Sequence, residues 1–512
     1  MILRKSVREF LARKRQDFRK WKKLPDEELE QRMRALPIKP PIWKKLNRPQ
    51  KICFLIGAQE KRFFFTLDMG VGKTLLMLAL HLYFRKLKLV KNTLVLVPNR
   101  INKVEWELEI KKHTKTIKHQ ILDGSSPDKR AQIAEQDADL YIETYGGLVR
   151  MMGDLKPHKK KKKDVVKLSR TKVKHLCNSV QSVVMDESIN SKSRDALAFR
   201  IGRQLSKTCP VFFTMTGTPF GRDVHDLWAQ FFLTDRGHTL GETLGLFRAA
   251  FFDTTSNYWG GFEHKFKKTM MRELRRLMAD RSIRFNAEGL PAVIHEIKPV
   301  YLPKAAEGYY REAKEQLKRS LGNPQQIKQS FLRMRQISSG FLGYLDDDSG
   351  ERAEVTFPEN PKLEMLLSLI EEIPPERKIV VHHDFTHSGH TIREALKKAR
   401  VGTLHLYGGT KDIGELRERF DNDKKERVLL LQNRFSMGPN LQAACVQLFY
   451  ESPVSVIIRK QAERRVERQH SKHPHIWRYD LVCKGTADER ILTFHKQGSN
   501  LFKALLRGKV TL

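Results

Sequence analysis

The chain has 512 residues, 40% of them hydrophobic, enough for more than one packed domain. Its 96 Lys+Arg against 59 Asp+Glu leave a formal net charge of +37, which points to a polyanionic partner, nucleic acid first, and away from an enzyme of small anions alone. Five dispersed cysteines without a C-x-x-C pair argue against a disulfide frame or zinc ribbon, and the absence of a signal-peptide core or a long apolar run leads us to expect a soluble, intracellular protein without a membrane segment.

Residues 1–46 are basic and helix-like, with Leu3, Val7, Phe10, Phe18 and Trp21 near one face. This pattern suits a helix docked on the main body, and a DNA-contacting arm is compatible with it. From residue 47 to 237, apolar runs alternate with helical patterns. The expected strands are "RFFFTLD" (62–68), "NTLVLVP" (92–98), "ADLYIETY" (138–145), "SVVMDES" (182–188) and "VFFTMTG" (211–217). That rhythm predicts a parallel sheet wrapped by helices. It breaks over 238–345, where "KFKKTMMRELRRLMADRSIRF" reads as a basic helix and roughly 303–340 as further helix. Strand–helix alternation returns over 346–512 with "RKIVVHHDF", "GTLHLYGG", "RVLLLQN", "VQLFYES" and "IWRYDLVCKG". The lysine run at 158–164 reads as a solvated or phosphate-contacting loop.

Four motifs carry the chemistry. In "DMGVGKT", Gly70 and Gly72 let backbone N–H groups close around phosphate, Lys73 would reach the β- and γ-phosphates, and Thr74 would place its hydroxyl on Mg²⁺. "VVMDES" brings Asp186 and Glu187 to a strand end, where one carboxylate can hold Mg²⁺ and the next can polarise water. "TMTGTPF" offers Thr216 and Thr218 as hydroxyls between a nucleotide site and a nucleic-acid groove. "QAERRVERQH" contains Gln461, Arg465 and Arg468, with arginines three apart as on one side of a helix. Such guanidinium groups can neutralise a transferring phosphoryl group. His382 and His383 read as strand-end residues, and His470, His473 and His475 lack partners at zinc spacing.

In this order the motifs resemble superfamily 2 helicases, specifically the Swi/Snf-type branch. "LVLVPNRINKVEWELEIKKH", "TGTPFGRDVHDLW", "GPNLQAA" and "LVCKGTADERIL" are similar to further segments of that branch, and "LTDRGHTLGETLGLFRAAFFD" looks most like compact phage-encoded or bacterial members. The resemblance covers roughly residues 47–500. It implies an α/β fold of two RecA-like lobes with parallel sheets: a basic helical N-terminal extension (1–46), lobe 1 (47–237), a helical insertion or linker (238–345) and lobe 2 (346–512). It implies ATP and Mg²⁺ as cofactors, with Gln50 on the adenine side, Lys73 and Thr74 on phosphate and metal, Asp186 as the second metal anchor and Glu187 as the water-activating acid. It also implies Arg465 and Arg468 as an arginine-finger pair supplied by the other lobe, with Gly438 and Asn440 at the lobe interface. Nucleic-acid contacts are expected at Pro98, Asn99, Arg100, Thr144 and Tyr145 in lobe 1, and at Gly409 and Thr410 in lobe 2.

Two departures stand out. The first glycine of the general P-loop pattern is Leu67, and Ser188 and Ile189 replace the last two residues of the Asp-Glu-Ala-His form. The missing histidine leaves open the route that couples nucleotide to nucleic acid. The expected function is an ATP-dependent motor on nucleic acid, duplex DNA first, working as a monomer. The alternatives are a nucleic-acid-binding protein with weak or no ATPase, a duplex RNA motor, and a phage packaging ATPase; the last should lack the TGTP and second-lobe arginine motifs.

Overall fold

The structure is a computed structural model. It describes residues 2–497 except 14, 40–41, 157–164, 192, 218–223, 257–260, 321–322, 346–351, 437, 439 and 469–470. Thr218, the lysine run at 158–164 and His470 thus lie outside the described residues. The chain divides into two compact units, residues 1–287 and 288–512.

Unit 1 is built on a seven-stranded, all-parallel sheet of β1 (Arg62–Leu67), β2 (Thr93–Val97), β3 (His119–Ile121), β4 (Leu140–Thr144), β5 (Ser182–Asp186), β6 (Val211–Met215) and β7 (Ser282–Phe285). Its spatial order is β7-β1-β6-β5-β2-β4-β3. A parallel strand is covered by helices on both faces, so it reads as a nearly unbroken apolar run. That is why "RFFFTL", "TLVLV" and "VFFTM" were visible in the sequence. Successive side chains of β1 enter opposite core layers: Phe63, Phe65 and Leu67 join one, Phe64 the other.

The N-terminal extension supplies both layers. Phe10, from helix Ile2–Ala12, packs in the layer of Phe64, while Phe18 packs in the layer of Phe63, its ring 5.2 Å from that of Phe63. Leu29 and Met33, from helix Asp26–Arg34, follow Phe18. The extension is therefore part of the fold of unit 1.

Unit 2 holds a six-stranded, all-parallel sheet of β8 (Ala292–Val300), β9 (Lys378–His383), β10 (Thr403–Leu406), β11 (Val428–Gln432), β12 (Ala444–Phe449) and β13 (His475–Cys483). Its order is β8-β13-β12-β9-β11-β10. Two helix-wrapped parallel sheets, one in each unit, are the two-lobe α/β fold class that the motifs imply.

Within 238–345 the helical reading holds for Lys304–Arg319 and Pro324–Ile337, and the structure differs from it elsewhere. The basic helix runs only over Met271–Met278, and Ser282–Phe285 then forms edge strand β7 beside β1, burying Ile283. Ala292–Val300 is strand β8, paired along its length with β13. Two hairpins, Phe252–Ser256 with Phe262–Phe266 and Phe341–Leu345 with Arg352–Thr356, complete the departures. Edge strands have one paired side and little apolar pattern, so a helical reading prevailed. Among the described residues, no helix is long and apolar enough to cross a membrane.

Candidate nucleotide site and nucleic-acid interface

The phosphate loop joins β1 to helix Lys73–Lys86. Gly70 (φ 91°) and Gly72 (φ 83°) are both left-handed, a conformation that side chains resist. Gln50 clamps the loop from behind. Its Nε2 donates to the carbonyls of Val71 (3.1 Å) and Gly72 (3.0 Å), and its Oε1 accepts from the Asn47 N–H (2.8 Å). The clamp stands in the first turn of helix Arg48–Glu60, where Asn47 and Gln50 form a capping box. A Cβ on Gly72 would lie 2.1 Å from Gln50 Nε2, so a second reason excludes a side chain there. Lys73 and Thr74 then open the helix, where unpaired N–H groups and the helix dipole suit a phosphate.

Strand order, not chain order, assembles the rest. The adjacent strands β1, β6 and β5 put the phosphate loop, Thr216 and the Asp186–Glu187 pair side by side at their C-terminal ends, the ligand-binding edge of open α/β sheets. Glu187 is held at both oxygens: Lys73 Nζ lies 2.8 Å from Oε1, and Thr216 Oγ1 donates to Oε2 at 2.6 Å. Its backbone is left-handed at φ 47°, the kind of strained residue that clusters at functional sites. Asp186 lies beneath. Its Oδ1 accepts from the Glu187 N–H (3.0 Å) and its Oδ2 from the Trp106 indole N–H (3.0 Å). Burial pushes the Asp186 carboxyl above its ordinary range; Lys73 opposes this and Glu187 adds to it. Ser188, at the position of the usual alanine, is fully buried and donates to Gln230 Oε1 at 2.7 Å.

The lobe-1 candidates for nucleic acid sit on the other side of β5, after β2 and β4. Asn99 caps helix Arg100–His113, accepting from the N–H groups of Ile101 (2.9 Å) and Asn102 (3.2 Å), and follows the half-buried Pro98; Arg100 is exposed. Thr144 caps helix Tyr145–Met152 through Gly147 N–H at 2.9 Å. Tyr145 is buried, and its hydroxyl donates to the Asp186 carbonyl at 2.7 Å. Glu143 fastens the two loops together. Buried at the end of β4, it accepts from Lys103 (2.8 Å), Lys129 (2.7 Å) and the Thr144 N–H (2.6 Å). Burial alone would raise its pKa, but the two lysines outweigh burial and hold it below the usual carboxylate range.

In unit 2, helix Val456–Val466 carries Gln461 and Arg465, but it ends before Arg468, so the two arginines do not share a helix face as the spacing suggested. The Glu467 backbone is already extended, and no glycine or proline announced the stop. Arg465 is buried; its Nε donates to the Ser436 carbonyl (2.6 Å) and its Nη1 to that of Gly438 (3.1 Å). It thus meets one of its expected partners in the site. Asn440 follows, partly buried. Gln461 is 1% exposed, and among the described residues neither polar atom of its amide has a hydrogen-bond partner. A buried amide in that condition suits a polar ligand. Thr410 closes a turn after β10, its hydroxyl donating to the His405 carbonyl (3.0 Å) and accepting from the Tyr407 N–H (3.0 Å), and Gly409 packs close to the Tyr407 ring.

A glycine loop at a strand–helix corner, a lysine opening the helix and an acid pair one strand over define a P-loop nucleotide-binding protein. The SNF2-related domain family matches residues 50–345, more than half of the chain, and the protein belongs to that family. This bears out the Swi/Snf-type resemblance. The chain is 24% identical over 457 residues to putative protein p41 of Acyrthosiphon pisum secondary endosymbiont phage 1, covering 83% of this chain and 90% of that one. A stretch of 122 residues is 32% identical to the chromatin-remodeling ATPase INO80 of Homo sapiens, which is 22% of this chain and only 8% of that protein. Among solved structures, the Sulfolobus solfataricus SWI2/SNF2 ATPase core in complex with dsDNA aligns over 93% of this chain and 96% of its own, at 21% identity and a TM-score of 0.41.

Trp106 and Thr216 are the contacts that motif reading did not assign. Trp106 meets Asp186 from a helix far away in sequence, whereas Thr216 meets Glu187 from the next strand of the chain.

Proposed function

We propose that the protein is an ATP-dependent motor that translocates along duplex DNA. The observation that carries this reading is the carboxylate of Glu187, gripped between the phosphate-loop lysine and Thr216. In that grip Glu187 faces the position where Lys73 would meet a γ-phosphate. As the phosphate takes over Lys73 Nζ, Glu187 is released to orient and deprotonate the attacking water, a contribution of about 10²–10⁴ in rate. Thr74 and Asp186 are the residues that would hold Mg²⁺, whose charge would offset that of the phosphates. Gly70 and Gly72 shape the cradle, and Gln50 keeps it in shape. Arg465 and Arg468, from unit 2, would neutralise charge on the transferring group, with Gln461, Gly438 and Asn440 beside the nucleotide. Hydrolysis that drives a conformational change is what would turn chemistry into movement.

Family membership and the net charge of +37 support nucleic acid as the track. Pro98, Asn99, Arg100, Thr144 and Tyr145 form the lobe-1 loops for it, and Gly409 and Thr410 the lobe-2 turn. The test is ATP hydrolysis with duplex DNA, single-stranded DNA and duplex RNA as competing stimulators. Duplex DNA should stimulate most. Stronger stimulation by duplex RNA would reassign the track, and no hydrolysis with any of them would remove the motor reading.

A further inference from the structure

In unit 1, the two nucleic-acid-side loops each send one hydrogen bond to the same residue, Asp186. Helix Arg100–His113 begins at the Asn99 cap, and its second turn presents Trp106, whose indole N–H donates to Asp186 Oδ2 at 3.0 Å. Helix Tyr145–Met152 begins at the Thr144 cap, and Tyr145 donates from its hydroxyl to the Asp186 carbonyl at 2.7 Å. All three residues are buried, so neither bond is exchanged freely with water.

We propose that Trp106 and Tyr145 are positioning residues that couple the nucleic-acid loops of unit 1 to the metal-holding carboxylate of Asp186, in place of the histidine that the Asp-Glu-Ser-Ile sequence lacks. The inference rests on the motor reading for the identity of the two ligands.

The geometry makes the link stiff. Asp186 has its two carboxylate oxygens fixed from different directions, Oδ1 by the Glu187 N–H and Oδ2 by Trp106. A rotation of helix Arg100–His113 therefore turns the carboxylate instead of sliding past it. The same helix carries Lys103, one turn before Trp106, and Lys103 pairs with Glu143 at 2.8 Å. Glu143 in turn accepts from the Thr144 N–H. The segments after β2 and β4 are thus tied to each other through Glu143 as well as to Asp186. Ser188 and Ile189 offer no competing link: Ser188 is turned away onto Gln230, and the Ile189 side chain has nothing to donate.

Binding that shifts these loops must change how well Asp186 holds metal, and linkage makes the effect reciprocal. Partners that orient a metal ligand are typically worth 10–100-fold in metal affinity.

The test uses Tyr145→Phe, which keeps the buried ring and removes only the donor, and Trp106→Phe, which removes the donor and also shortens the buried indole to a phenyl ring. Binding of a fluorescent ADP is titrated with Mg²⁺, with and without duplex DNA, alongside DNA affinity in the absence of nucleotide. In Trp106→Phe the Mg²⁺ needed for half-maximal nucleotide binding should rise about 10-fold, and the tightening of nucleotide by DNA should be lost. DNA affinity without nucleotide should stay within about 2-fold, which general loosening of the fold would not leave intact. Tyr145→Phe should lose the DNA effect with a smaller change in Mg²⁺ requirement, and it serves if Trp106→Phe does not fold. Unchanged Mg²⁺ requirement and intact DNA coupling in both variants would overturn the proposal. A wild-type protein that binds Mg²⁺–nucleotide but shows no response to any nucleic acid would remove the motor reading and the coupling with it. A normal wild-type response with unaltered variants would remove the coupling alone.

Discussion

Gly72→Ala should damage the phosphate loop for two separable reasons. The residue is left-handed at φ 83°, where a Cβ costs roughly 1–2 kcal/mol. The new Cβ would also stand 2.1 Å from Gln50 Nε2 and drive that side chain out. Gln50 would then forfeit its bonds to Val71 and Gly72 and the one from Asn47. At a net value of about 1 kcal/mol each, that adds about 2–3 kcal/mol, for a total of about 3–5 kcal/mol. Gln50→Ala alone forfeits the same bonds and should cost the same, about 2–3 kcal/mol. In the double variant the collision is gone and only the backbone strain is added. The two costs should therefore fall short of additivity by about 2–3 kcal/mol, far beyond the roughly 0.3–0.5 kcal/mol scatter of independent sites. Urea unfolding, followed by hydrogen exchange at β1 and helix Lys73–Lys86, measures the four corners of the cycle. Additive costs would refute the clamp, and a Gly72→Ala protein of wild-type stability and ATP affinity would refute the loop geometry itself.

Arg465→Ala should keep ATP binding yet lose DNA-stimulated hydrolysis by roughly 10³-fold or more, measured as phosphate release; because Arg465 also holds the Ser436 and Gly438 carbonyls, unit 2 should lose about 1–3 kcal/mol in thermal unfolding, and Arg468→Ala should likewise lose rate. His81, buried against Thr93, has its pKa pushed down to about 3 by burial and then by Arg85. The unfolded chain protonates it near 6.5, so its stability contribution is present above pH 6.5 and is lost as pH falls from there toward 3, by about 2 kcal/mol at pH 5; His81→Asn should flatten the pH dependence of unfolding by that amount, and an unaltered slope would contradict the buried neutral ring. Translocation without sustained strand separation predicts ATP-driven displacement of a triplex-forming strand. Efficient release of a strand from a forked duplex with no triplex displacement would mark a conventional unwinding helicase.

The phosphate loop and the acid pair were legible because their signals are local: glycines at a strand–helix corner, and carboxylates closing an apolar run. The partners of Asp186 were not, since Trp106 and Tyr145 reach it only through the crossed order β5-β2-β4, which chain order conceals. Tyr145 illustrates the limit. Its place just after β4 was readable, while the inward turn of its ring depends on a neighbour across the sheet. The edge strands β7 and β8 were hidden for a related reason. Arg284 and most of Ala292–Val300 are exposed, and only pairing with β1 and β13 makes strands of them. The basic extension also yielded half its meaning: its apolar spacing foretold docking, but not that Phe10 and Phe18 would enter opposite faces of the sheet.

The most direct measurement is steady-state phosphate release by the wild-type chain and by Glu187→Gln, each with saturating duplex DNA, together with their ATP affinities. Glu187→Gln keeps the shape of the side chain, but its amide has one accepting oxygen where the carboxylate has two, so it keeps only one of the bonds that Lys73 and Thr216 donate, and it cannot take a proton. The predicted result is DNA-stimulated release by the wild type, a fall of at least roughly 100-fold in the variant, and ATP binding retained in both. Equal rates in the two proteins, or a variant that no longer binds ATP, would contradict the assignment of Glu187 as the water-activating base.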